Sequence, residues 1–227
     1  MKKFLLIFSS TLVLLSGLAE ARHIILCGGP ALRQWEDLRV EKQQHDRWWA
    51  NFVRASTIRI DELREIYGAS TPVTWIVYKD GYTLRGREDG KPYTAWITEQ
   101  ATKRGVTLKW VSTGGQAISA MNQHAAGSVK TFDFFGHSNK HCMMLDYGAA
   151  IMATSKAWIH ENDLGKIRST IFASGASCQS YGCFTGESMS KVWKAKLGVP
   201  LIGAIGKTDY VVVGQGKLPK INGVWTM

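Results

Sequence analysis

Beyond its first twenty or so residues the chain lacks any apolar stretch long enough to cross a bilayer, which takes about 20 residues. It contains no internal repeat and no low-complexity tract, so nothing suggests a solenoid or a fibre. It has five prolines and no proline-rich or acidic linker, so nothing divides it into separate domains. Positive charge is plentiful, with a formal net charge of +10. Yet it never forms a run of five, and no nucleic-acid module appears, so it reads as solvated surface rather than as a nucleic-acid footprint. The four cysteines, Cys27, Cys142, Cys178 and Cys183, match no small disulfide scaffold and no zinc spacing. No metal and no cofactor is expected. A bridge between Cys142 and Cys183 stays open as a geometric option.

What is present starts with an export signal. Lys2 and Lys3 precede a mostly apolar segment over 4–18, and Ala19-Glu20-Ala21 has the small-x-small form of a cleavage site. Residues 1–21 are therefore expected to be a signal peptide and 22–227 a single domain. The expected location is secreted or periplasmic, with no membrane span after the signal is removed.

From residue 23 the chain alternates between apolar runs and amphipathic stretches. Strands are predicted over 23–27, 72–78, 107–112, 130–135, from 170 onward and over 199–205, with a small strand or hairpin over 143–147. Helices are predicted over 33–67, in one or two pieces, and over 94–104, 115–126 and 187–196. A turn with a short helix is expected over 158–167 and a polar loop over 79–92. Strands alternating with helices give an α/β fold, a mainly parallel sheet flanked by helices on both faces.

Two strands carry chemistry near their ends. Phe132-Asp-Phe-Phe-Gly-His137-Ser138 brings an imidazole, and Ile171-Phe-Ala-Ser-Gly-Ala-Ser-Cys178 brings a thiol. In open α/β sheets the ligand crevice lies beyond the carboxyl ends of the strands. Gly136-His137-Ser138 starts like a G-x-S-x-G nucleophile elbow, but Lys140 replaces its second glycine and no histidine follows His160, which argues against an α/β-hydrolase. Cys27-Gly-Gly-Pro30 ends the first strand in glycines, but it is not a dinucleotide fingerprint, and Pro30 removes a backbone donor that phosphates would use. What remains is a histidine and a cysteine at one sheet edge, the pairing a thiol nucleophile needs.

Phe134-Phe135-Gly136-His137, followed by Ala176-Ser177-Cys178-Gln179-Ser180-Tyr181-Gly182, resembles the motifs of caspase-like cysteine peptidases, the clan of caspases, gingipains and legumain. Ser138 stands where that clan has glycine. The resemblance implies a caspase-hemoglobinase-like fold, Cys178 as nucleophile and His137 as proton carrier. It further implies an oxyanion held by the backbone N–H groups of Ser138 and Cys178, and a peptide or protein substrate. Asp146 and Asp209 are candidates for binding a basic substrate side chain, and Asp133 for facing a neighbouring helix. His45-Asp46-Arg47-Trp48-Trp49 reads either as a cover for the site or as core, and Lys140 with His141 as a basic rim. The expected function is an exported cysteine hydrolase. The alternatives are an inactive caspase-fold binding protein and a secreted toxin-like hydrolase of another amide.

Overall fold

The computed structural model describes residues 21–41, 44, 47–147 and 157–226. The expected signal peptide and the His45-Asp46 pair lie outside the described residues.

Six strands form the central sheet: β1 (Arg22–Cys27), β2 (Val73–Tyr78), β3 (Thr107–Val111), β4 (Val129–Phe135), β8 (Phe172–Ser180) and β9 (Leu201–Ile202). Their order is β3-β2-β1-β4-β8-β9, and every pairing within the sheet is parallel. The helices are α1 (Arg33–Asp37), α2 (Asn51–Tyr67), α3 (Lys79–Asp89), α4 (Tyr93–Lys103), α5 (Gly114–Met121) and α6 (Met189–Leu197). Side chains alternate across a strand, and that period sorts the core. Ile24, Leu26, Phe132 and Phe134 pack with α5 and α6, whereas Ile25, Cys27, Trp75 and Phe135 pack with α2 and α4. Helices therefore cover both faces, as a buried parallel sheet requires.

Two small antiparallel sheets decorate one edge. One joins β5 (His137–Ser138), β6 (Cys142–Met144) and β7 (Trp158–His160), and the other pairs β10 (Ala204–Asp209) with β11 (Lys220–Trp225). Among the described residues no helix is long and apolar enough to cross a membrane.

The stretch over 33–67, predicted as helix in one or two pieces, holds two α-helices among its described residues, α1 and α2. The polar segment over 79–92, expected as a loop, is largely the helix α3. Gly81 and Gly86 hide it from a propensity reading, since glycine disfavours a helix by about 1 kcal/mol each. Both are there for close packing. A Cβ at Gly81 would lie 3.0 Å from Gly29 Cα, and one at Gly86 only 2.6 Å from the Lys91 carbonyl oxygen. Buried Arg85 locks the helix through Asp89 (2.9 Å) and the carbonyls of Ala31 (2.7 Å) and Arg47 (2.9 Å).

In this strand order the direction of winding reverses between β1 and β4, the switch point at which doubly wound sheets open a crevice. The chain leaves both strands through glycine. Gly28 N–H donates to Phe135 O (2.8 Å), and a Cβ on Gly28 would come within 3.0 Å of Met144 O.

Candidate active site

Beyond the carboxyl ends of β4 and β8 lies a cleft of about 650 Å³. His137 and Ser138 enter it from the end of β4, Cys183 from beyond β8, and Lys207, Thr208 and Asp209 from β10. Trp48, Phe52, Tyr147 and Tyr210 form aromatic walls.

His137 is where the sequence put it, but Cys178 is not. Phe132 pairs with Cys178 and Phe134 with Ser180, and Tyr181 N–H donates to Phe134 O (2.8 Å). Carried past the ladder, this register sets Cys183 level with His137. Cys178 lies five residues back along the strand, about 16 Å at 3.3 Å per residue. It is 1% exposed, packs in the core with Trp193 and Met189, and its backbone lies between β4 and β9. Burial, with Asp133 adding to it, pushes its thiol up to about 12. Such a thiol is neutral near pH 7 and inert. The same burial removes the Cys178 N–H from any oxyanion role.

The displacement has a local cause. Val129 faces Phe172 and Thr131 faces Ser177, so β8 uses five residues where β4 uses two. Gly175, at φ +71°, supplies the left-handed conformation inside this bulge. The apolar run of 171–173 thus only leads into the strand, with Ile171 closing a short 3-10 turn before it, and the small residues after it are still strand.

Cys183 is half-buried. Thr208 N–H donates to its sulfur at 3.4 Å, and the Thr208 hydroxyl lies at the same distance. Its carbonyl accepts the Ser138 hydroxyl at 2.7 Å, which ties the two strand ends together and engages Ser138 in a structural role. Phe184, the next residue, has φ +63°, the one positive φ outside glycine among the described residues. Side-chain-bearing residues rarely hold that conformation, and such strain concentrates at functional turns. Phe184 N–H is held by Gly206 O at 2.8 Å. Gly182 must be glycine, because a Cβ there would collide with the Ser138 side chain. Gly182→Ala is expected to push the two strand ends apart, with a stability loss of about 1–3 kcal/mol and loss of the site. Urea unfolding together with thiol labelling of the variant checks this.

The acids separate. Asp209 lines the cleft, with Oδ1 accepting Val211 N–H at 2.8 Å. Asp146 does not line it. It is buried, bonds Ala157 O through its N–H (3.1 Å), and acts with burial to push the Tyr78 phenol up. Asp133 pairs with Arg59 of α2 at 3.0 Å. Lys140 and His141 do not form the rim. Lys140 O accepts Met189 N–H, and His141 Nδ1 meets Glu161 at 3.0 Å. Arg47 and Lys207 supply the positive charge instead. Of the aromatic pair at 48–49, Trp48 lines the cleft, while Trp49 stacks on Tyr93 with ring centroids 3.9 Å apart. All four cysteines are free thiols, so Cys142 and Cys183 are not bridged. Cys27 is a buried hydrophobe whose thiol burial pushes up to about 11.

Sequence reasoning missed Cys183, Thr208 and Lys207. The available signal for Cys183 is the pair of glycines that flank it, Gly182 and Gly186. No protein-family model matches the chain, and no curated protein or solved structure is significantly similar to it.

Proposed function

We propose that this chain is a cysteine hydrolase, most simply a peptidase, in which Cys183 is the nucleophile and His137 the proton carrier. The observation that carries the reading is that one cleft, beyond the ends of β4 and β8, is lined by both residues. His137 takes the thiol proton as the sulfur bonds to the scissile carbonyl carbon. It returns the proton to the amine as the C–N bond breaks, and water then releases the acid from the thioester. The oxyanion falls to backbone N–H groups of the Gly136–Ser138 and Gly182–Cys183 turns. The proposed chemistry is that of caspase-like peptidases, which the chain resembles at Gly136-His137, with the nucleophile at Cys183 instead of Cys178. Export belongs to this reading as well, since cleavage before Arg22 would fall at the first residue of β1 and spare the sheet.

Among the described residues Asp209 is the one acid that lines the cleft, so the proposed substrate carries Arg or Lys next to the scissile bond. Asp209→Asn retains the Val211 cap through its amide oxygen and removes the charge. A peptide-library cleavage profile is expected to show basic residues preferred by the wild type. That preference should fall by about tenfold or more in the variant, the value of a lost charge-assisted bond. A folded protein that cleaves no peptide, with an unreactive Cys183, would instead be the binding protein.

A further inference from the structure

Resting on the His137/Cys183 reading, we propose that Tyr147 is the positioning residue of the His137 imidazole and that Arg39 holds Tyr147 in place. The Tyr147 ring lies face to face with the imidazole, centroids 4.1 Å apart and planes 22° from parallel. Phe52 meets the same imidazole edge-on, at 5.1 Å and 87°. A flat ring held by one stack can still slide in its plane. A stack and a perpendicular edge together fix its rotation about both side-chain torsions. Phe52 is itself braced edge-on against Tyr210, at 5.0 Å and 85°. One wall of the clamp is therefore a helix residue tied to the turn after β10.

The other wall needs an anchor, because Tyr147 sits on the loop after β6. Arg39 provides it. Its Nη2 donates to the Tyr147 hydroxyl at 3.2 Å, and its guanidinium carbon lies 5.5 Å from the ring centroid. Arg39 Nη1 pairs with the buried carboxylate of Glu36 at 3.2 Å. An ordered chain of contacts thus runs from a buried acid in α1, through Arg39 and Tyr147, to the imidazole. Glu36 and Arg39 sit beyond direct reach of the chemistry, yet they set where the proton carrier points.

The test is the second-order rate at which iodoacetamide alkylates Cys183 in the full chain, read by peptide mass spectrometry. Tyr147→Ala should slow alkylation by about 10²-fold, the cost of a misplaced group, and approach the rate of His137→Ala. Tyr147→Phe keeps the stack but loses the Arg39 hydrogen bond and should slow alkylation by about tenfold. Arg39→Leu should slow it by about tenfold, the value of one lost hydrogen bond. If Tyr147→Ala fails to fold, judged by its thermal transition, Arg39→Leu decides the matter. A Tyr147→Ala rate equal to wild type overturns the proposal, as does a Tyr147→Phe rate as slow as Tyr147→Ala. If Cys183 is not the fastest-labelled cysteine in the wild type, the underlying hydrolase reading fails, and the proposal with it. If it is the fastest and Tyr147→Ala changes nothing, only the positioning role fails.

Discussion

Cys183→Ser is expected to lower hydrolysis by at least about 10³-fold, whereas Cys178→Ala leaves hydrolysis intact and lowers stability by about 1–2 kcal/mol. The two cysteines are only five residues apart, but their surroundings differ in kind. Cys178 is buried in the same core cluster as Trp193 and Met189 of α6. Removing its sulfur leaves a small void that neighbouring side chains partly close. Cys183 lines the cleft, follows a strand end, precedes a strained residue and receives the Thr208 N–H on its sulfur. Kinetics on any peptide found by library screening, with urea unfolding of both variants, checks the pair. Equal losses of activity would mean that the register argument has selected the wrong thiol.

Arg59→Met is expected to be the most destabilising single change outside the cleft, at about 3–5 kcal/mol near pH 7, because it leaves a buried carboxylate without its cation. Asp133 is 1% exposed and takes Arg59 Nε at 3.0 Å. Burial pushes its carboxyl up to about 6, with Arg59 opposing the rise. Between about 4 and 6 the folded protein therefore holds a proton that the unfolded chain has released. The Asp133 contribution accordingly falls as pH rises through that window, by up to about 3 kcal/mol.

His23 works in the opposite sense. Its ring is buried beside Thr131, 2.9 Å from its hydroxyl, and burial, aided by Arg59, lowers it to about 4. Between about 4 and 6.5 the unfolded chain is the one that holds the extra proton, so the His23 contribution rises with pH, again by up to about 3 kcal/mol. The two contributions largely cancel, and what remains in this window is a shallow rise with pH from His124, whose imidazole burial also lowers. Asp133→Asn should unmask a stability that rises with pH, and His23→Gln one that falls. Urea midpoints at several pH values read both slopes. Adding Asp133→Asn to Arg59→Met should recover most of the loss.

The alternation of strands and helices was legible because each buried strand is a short apolar run closed by glycine or proline, as in 23–30 and 72–78. His137 was legible for the same reason, since β4 is regular up to Phe135. Asp133 could be expected to face a helix, because it interrupts an apolar strand and needs a cation there. Cys183 was not legible. A nine-residue strand that begins with only two apolar residues and bulges at Gly175 looks, in one dimension, like a strand that has already stopped. The helix α3 was hidden by Gly81 and Gly86, whose value lies in contacts with residues distant in sequence or past the helix end. Asp146 looked available for substrate because nothing local pairs with it, but the fold buries it beside Tyr78.

The most direct measurement is a time course of iodoacetamide labelling of the native wild type near neutral pH, resolved cysteine by cysteine by peptide mass spectrometry. Cys183 is expected to react first, with Cys27 and Cys178 protected until the protein unfolds, and His137→Ala is expected to slow Cys183 alone. Labelling of Cys178 ahead of Cys183 in the folded protein would contradict the placement of the nucleophile and the hydrolase reading built on it.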